Sequence, residues 1–176
     1  VLYEDIYFAG FSFLLVFTYT LWQTKSVLIA TGSLMMIALT FPVTFFVYFQ
    51  FFITSGSSSL GMLNGLGVYV ILGIGVDDVY VFVHAFEQCA SGAASIEVQL
   101  GRAFRRAATA MLATTTTTAL AFIANFTSSI PVVISFSRFT AVLVVVNYLF
   151  AISILPAMVV GIHKYSGQCR AFKTRT

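Results

Sequence analysis

Residues 73–86 read Gly73-Ile74-Gly75-Val76-Asp77-Asp78-Val79-Tyr80-Val81-Phe82-Val83-His84-Ala85-Phe86. Two adjacent acids stand inside a run that is otherwise apolar, aromatic or small. At the centre of a membrane helix each aspartate costs about 2.5–3.5 kcal/mol on an insertion scale, so the pair costs roughly 5–7 kcal/mol if additive. A helix bundle keeps such residues where they pair with a neighbour, bind a cation or line a wet path.

The flanks show that the surroundings are hydrocarbon. Charge is absent from Ile6 to Thr24, from Ser26 to Val76, from Ala107 to Ser137 and from Phe139 to Ile162. Each stretch reaches or approaches the roughly 20 residues that cross a bilayer core. The second is too long for one helix, and the Ser-Gly-Ser-Ser-Ser run at 55–59 divides it in two. The whole chain is 59% hydrophobic and 9% charged, against about 45–50% and about 25% in a soluble domain. No water-facing surface can be built from that composition.

These boundaries predict an all-α polytopic membrane protein with five transmembrane helices, at about 6–23, 27–53, 60–86, 107–127 and 139–162. Residues 93–106 place Ile96, Leu100, Ala103 and Phe104 on one face, with Glu97, Arg102, Arg105 and Arg106 elsewhere. That pattern describes one further, amphipathic helix lying in the interface. The chain opens at Val1 without an initiator Met or a signal-type leader and reads as a segment of a longer protein.

Sorting the basic residues by connection sets the orientation. Lys25, Arg102, Arg105, Arg106, Lys164, Arg170, Lys173 and Arg175 fall on one side and Arg138 alone on the other, which makes the crowded side cytosolic. The net charge of +3 is explained by this asymmetry and gives no sign of a nucleic-acid partner. Cys89 and Cys169 both sit on the cytosolic side, where a disulfide is not expected.

Two adjacent carboxyls in hydrocarbon resist carrying two charges, so one is a candidate proton acceptor near neutral pH. Alternatively both stay ionised around Na⁺, for which carboxylates, hydroxyls and carbonyls are hard oxygen ligands. Asp77 and Asp78 are therefore the candidate ion-coupling residues. Successive residues on a helix point about 100° apart, so the two face different neighbours. Five consecutive threonines, Thr114 to Thr118, occupy the fourth span. Thr114 and Thr118 share a face and are candidates to offer oxygens to the ion path, with His84 as a relay toward the cytosolic end. Gly61, Gly65, Gly73 and Gly75 are expected to let helix backbones approach closely. No catalytic constellation, metal-ligand spacing or phosphate loop occurs, and the chain is not expected to be an enzyme or to carry a metal or organic cofactor.

The Gly-Val-Asp-Asp core with His-Ala-Phe at 84–86 resembles the fourth transmembrane helix of the RND superfamily, in its Patched and Dispatched branch. Ala-Asn-Phe at 124–126, Val-Asn-Tyr at 146–148, Leu-Pro-Ala-Met-Val-Val at 155–160 and His-Lys-Tyr at 163–165 resemble Dispatched. The resemblance covers nearly the whole chain and implies a sterol-sensing domain, helices two to six of a twelve-helix protein and half of an RND-type membrane domain. It further implies H⁺- or Na⁺-driven transport of sterol or a sterol-bearing lipid at the plasma or endosomal membrane. Membrane lipid and the second half of the same polypeptide are the implied partners. A sterol-sensing regulator that binds sterol without transport is the alternative.

Overall fold

Inside hydrocarbon every backbone N–H and C=O must find its partner within the protein, and for an apolar chain of this length the helix is the local way to do it. The computed structural model describes residues 2–24, 27–53, 66–89 and 96–173, with side chains placed over 10–22, 24, 27–51, 66–89 and 98–161. Its elements are α1 (Leu2–Thr24), α2 (Val27–Tyr48) prolonged by a π-helical turn at Phe49–Ile53, α3 (Gly67–Cys89), α4 (Ile96–Ala124), a 3₁₀ turn at Asn125–Thr127, and α5 (Pro131–Lys173). The described chain is an all-α polytopic membrane fold. Four helices are long and apolar enough to cross a membrane, over Val27–Phe51, Gly67–Cys89, Val98–Thr127 and Pro131–Gly161, and α1 contributes a shorter apolar stretch, Gly10–Trp22.

Hydroxyl groups within the helices bond mostly to their own backbone. Thr20 Oγ1 donates to Val16 O, Ser33 Oγ to Ile29 O and Thr44 Oγ1 to Thr40 O, at 2.7–2.8 Å. Such bonds let Ser and Thr stand in an apolar helix without an outside partner. α5 begins with Pro131 at its first turn, where a missing N–H costs nothing. The N–H groups of Val133 and Ile134 both donate to Ile130 O.

Packing is organised around α3, which touches α1, α2, α4 and α5, while α5 touches α2, α3 and α4. The core lies where α2, α3 and α5 meet, around the fully buried Met36, Ile37, Ile71, Phe82, Phe139 and Leu143. Phe139 meets the rings of Phe41 and Tyr48 edge to face, with centroids 5.7 and 5.5 Å apart. Glycine sets one of the closest approaches: a Cβ on Gly75 would stand 2.6 Å from Cγ1 of the buried Ile37.

Two boundaries differ from the sequence reading. The amphipathic stretch and the fourth span form one continuous helix, α4, because nothing at Arg106-Ala107 interrupts the hydrogen-bond ladder. Its 29 residues extend about 43 Å against a hydrocarbon core of about 30 Å, so the arginine-bearing turns project beyond the core as part of the same helix. α5 likewise starts at Pro131 rather than 139. Arg138 lies within it, its guanidinium carbon 5.7 Å from the centre of the Phe126 ring, and a charge marks where hydrocarbon begins, not where a helix does. α3 begins at Gly67 and runs to Cys89, and the expected start at 60, like Gly61 and Gly65, lies outside the described residues.

Two outcomes follow for the full-length protein. Gly75→Val should destabilise the domain by about 1–3 kcal/mol through overpacking against Ile37, seen as a lowered Tm in detergent with Gly75→Ala intermediate; an unchanged Tm for both refutes the close contact. A single cysteine at Ser129, in the α4–α5 turn, should react with an impermeant maleimide from outside or from the lumen, and reaction only from the cytosol reverses the orientation.

Candidate functional site

The 100° step between consecutive residues separates the two aspartates completely. Asp78 is 3% exposed and faces α5, whereas Asp77 is exposed on the outer side of α3. At Asp78 the contact is a single strong bond: Asn147 Nδ2 of α5 donates to Asp78 Oδ2 at 2.6 Å. Asn147 is fully buried, and its other amide atom, Oδ1, is buried with no hydrogen-bond partner among the described residues.

Local sequence explains how the pair forms. Leu143, Val144, Asn147, Ala151 and Leu155 are buried at helical spacing along α5, so Asn147 interrupts the apolar face that packs on the rest of the bundle. On α3, Gly75 lies one turn before Asp78 and is part of the same contact. A Cβ there would stand 3.4 Å from Asn147 Oδ1 in addition to colliding with Ile37. The glycine thus makes room for an amide to lie against the helix that carries the acid.

Asp77 opens a different face. Gly73, Asp77, Tyr80 and His84 fall within about 60° of one another around α3, and the structure leaves all four exposed. Nothing stands within 4 Å of where a Gly73 Cβ would lie, so no described helix approaches α3 there. The Tyr80 and His84 rings stack at 5.5 Å, and His84 Nε2 is 2.8 Å from Gln88 Nε2. Tyr80 and His84 thus make these contacts with α3 itself.

The threonines divide as well. Thr114 is exposed and its hydroxyl donates back to Met111 O at 2.9 Å. Thr117 donates to Ala113 O and Thr114 O. Thr118 is half-buried and Thr115 is the buried member of the run. The structure therefore brings Asp78 together with Asn147 and Gly75, not with Thr114, and sets Asp77 with His84 on another side. In the sequence Asn147 stood out only as part of Val-Asn-Tyr at 146–148. The signal that identifies it is an amide at the centre of the charge-free stretch 139–162, in phase with buried apolar residues. Among the described residues no three His, Cys, Asp or Glu side chains converge.

A second feature lies away from the acids. An apolar groove of about 430 Å³ runs between α1 and α2, lined by Phe13, Leu14, Phe17, Leu34, Met35 and Ala38 among others. Its volume falls in the range of small-molecule sites.

Residues 6–161 match the family model described as Patched SSD, the sterol-sensing domain of Patched. Protein dispatched homolog 3 of Mus musculus is 35% identical over 132 residues, covering 75% of this chain and 10% of that protein. Protein dispatched of Drosophila melanogaster is 31% identical over 165 residues, 77% of this chain and 13% of that protein. Protein patched homolog 3 of Caenorhabditis elegans is 29% identical over 91 residues, 52% and 6%. The chain thus spans about a tenth of the length of the Dispatched relatives it matches. With nearly all of its helices inside the match, the chain belongs to the Patched sterol-sensing-domain family of multi-pass membrane proteins.

Proposed function

We propose that this domain is the cation-coupling part of an H⁺- or Na⁺-driven transporter of sterol or a sterol-bearing lipid, working without enzymatic chemistry, at the plasma or endosomal membrane. The observation that carries the reading is Asp78, an acid buried at mid-helix and held by one amide across the α3–α5 contact. A buried carboxylate beside an amide oxygen with no partner among the described residues offers only hard oxygens, the donor type that takes a proton or an alkali cation. Neither needs an organic cofactor or a transition metal.

Asp77 supports the second half of the polypeptide as the partner. A carboxylate facing hydrocarbon costs several kcal/mol, so the exposed face of Gly73, Asp77, Tyr80 and His84 calls for cover by further protein or a wet path. His84 extends that face toward the cytosolic end. The alternative is a regulator that binds sterol without moving it. The α1–α2 groove favours it, being apolar and of ligand size without any connection to the acids, whereas the buried acid favours the transporter.

Replacing both Asp77 and Asp78 with Asn in the full-length protein should leave membrane yield and Tm near wild type, since removing buried charge can even stabilise. Reconstituted sterol flux should lose its dependence on the H⁺ or Na⁺ gradient; intact, gradient-dependent flux in the double variant removes the proposal. The pair itself is tested by a double-mutant cycle of Asp78→Ala and Asn147→Ala read by thermal unfolding. A coupling of about 1.5–3 kcal/mol is expected for a hydrogen bond to a charged group, and additivity within about 0.5 kcal/mol means that the two residues do not interact.

A further inference from the structure

The first turns of α4 carry three arginines that the fold leaves unused. Ala103, Ala107 and Met111 are buried against the bundle, which turns the opposite side of the helix outward. Arg102, Arg105 and Arg106 lie on that outer side within about 100° of one another, and all three are exposed. None of them has an ion pair or hydrogen bond through its side chain among the described residues. Arg138, the lone basic residue expected on the opposite side, is by contrast seated over a ring.

Depth places these guanidinium groups. From Ala107 to Thr127 the helix and its 3₁₀ turn extend about 30 Å, the thickness of the hydrocarbon core. With Ala107 at the boundary, the arginines stand in the headgroup layer of the cytosolic leaflet. Below them the same face continues as Thr109, Ala113, Thr116 and Thr117, all exposed. The hydroxyls of Thr109 and Thr117 are spent on Arg105 O and Ala113 O, so this surface is small and two of its three hydroxyls are already satisfied within the helix. It ends at Leu120, 58% exposed, about 16 Å below Thr109 and so about one leaflet deep.

We infer that Arg102, Arg105 and Arg106 form a binding site for an anionic phospholipid of the cytosolic leaflet. Guanidinium forks match phosphate oxygens in pairs, and the charge, depth and outward direction of the three groups agree with a lipid phosphate. The acyl chains lie along the small face between Thr109 and Leu120. The site is separate from the aspartates and does not depend on whether the protein transports.

The test uses the full-length protein in phosphatidylcholine nanodiscs containing a photoactivatable phosphatidylserine. Saturable labelling is expected on peptides spanning 98–120, competed by unlabelled phosphatidylserine but not by phosphatidylcholine or soluble glycerophosphoserine. The triple variant R102Q/R105Q/R106Q should weaken lipid retention on the order of 100-fold, the weight of three arginines at an anionic surface, with Tm in pure phosphatidylcholine unchanged. Labelling confined to other helices, competition by the soluble headgroup, or equal retention by wild type and variant overturns the inference. So does protection of the arginines from phenylglyoxal in pure phosphatidylcholine discs, which means that the rest of the polypeptide covers this face. If the triple variant does not fold, the labelling map of the wild-type protein decides alone.

Discussion

A carboxyl group in the middle of a membrane helix has to be held by something, and in this domain it is held by one amide. The Asn147–Asp78 bond, 2.6 Å long and fully enclosed, fixes the relation of α3 to α5. Much of the neighbouring geometry is set to permit it. Gly75 has no side chain because Ile37 and the Asn147 amide occupy that space. Small residues at helix contacts in membranes commonly serve van der Waals packing alone. Here the same device also brings a polar group to an acid that no water molecule of the bilayer core could reach.

The rule that buried polar groups must be satisfied also explains what the threonines do. A run of five hydroxyls around one helix points in every direction, so no single neighbour can use them all. Thr114 and Thr117 return to backbone carbonyls of α4, which leaves their side chains compatible with lipid. Asn147 behaves in the opposite way. An amide side chain carries both donor and acceptor, and once Nδ2 is committed to Asp78, Oδ1 remains buried and unmatched among the described residues. That asymmetry distinguishes a polar residue that merely tolerates the membrane from one that forms a site.

Sequence showed the class of the fold because charge-free length is a direct consequence of bilayer thickness. The charge-free stretch from Ser26 to Val76 accordingly holds two helices, α2 and α3. The start of α5 was not, since Arg138 was read as an edge although it lies within the helix with its guanidinium over Phe126. Nor was the continuity of α4 legible: an amphipathic stretch followed by an apolar one has the same composition whether the helix breaks at the interface or continues through it. At the site, the acids were visible as costly residues in a costly place. Their different surroundings follow from the 100° step, but which of them faces α5 depends on tertiary packing. Asn147 carried a weaker signal, because one amide in an apolar span is a common packing element until its partner is known.

The two aspartates consequently belong to different boundaries of the domain. Asp78 is enclosed by helices already present, and Asp77 lies on a face that these helices leave open. α3 connects the two boundaries and is in contact with every other helix. A change in the charge carried by Asp78 would alter its bond to Asn147 at the α3–α5 contact, while a change at Asp77 would alter the attraction of α3 for whatever covers its open face. Because both acids sit on adjacent residues of one helix, a movement of α3 that changes the surroundings of one also moves the other. Adjacency, which looks redundant in the sequence, therefore places one acid in the interior of this domain and the other on its open face.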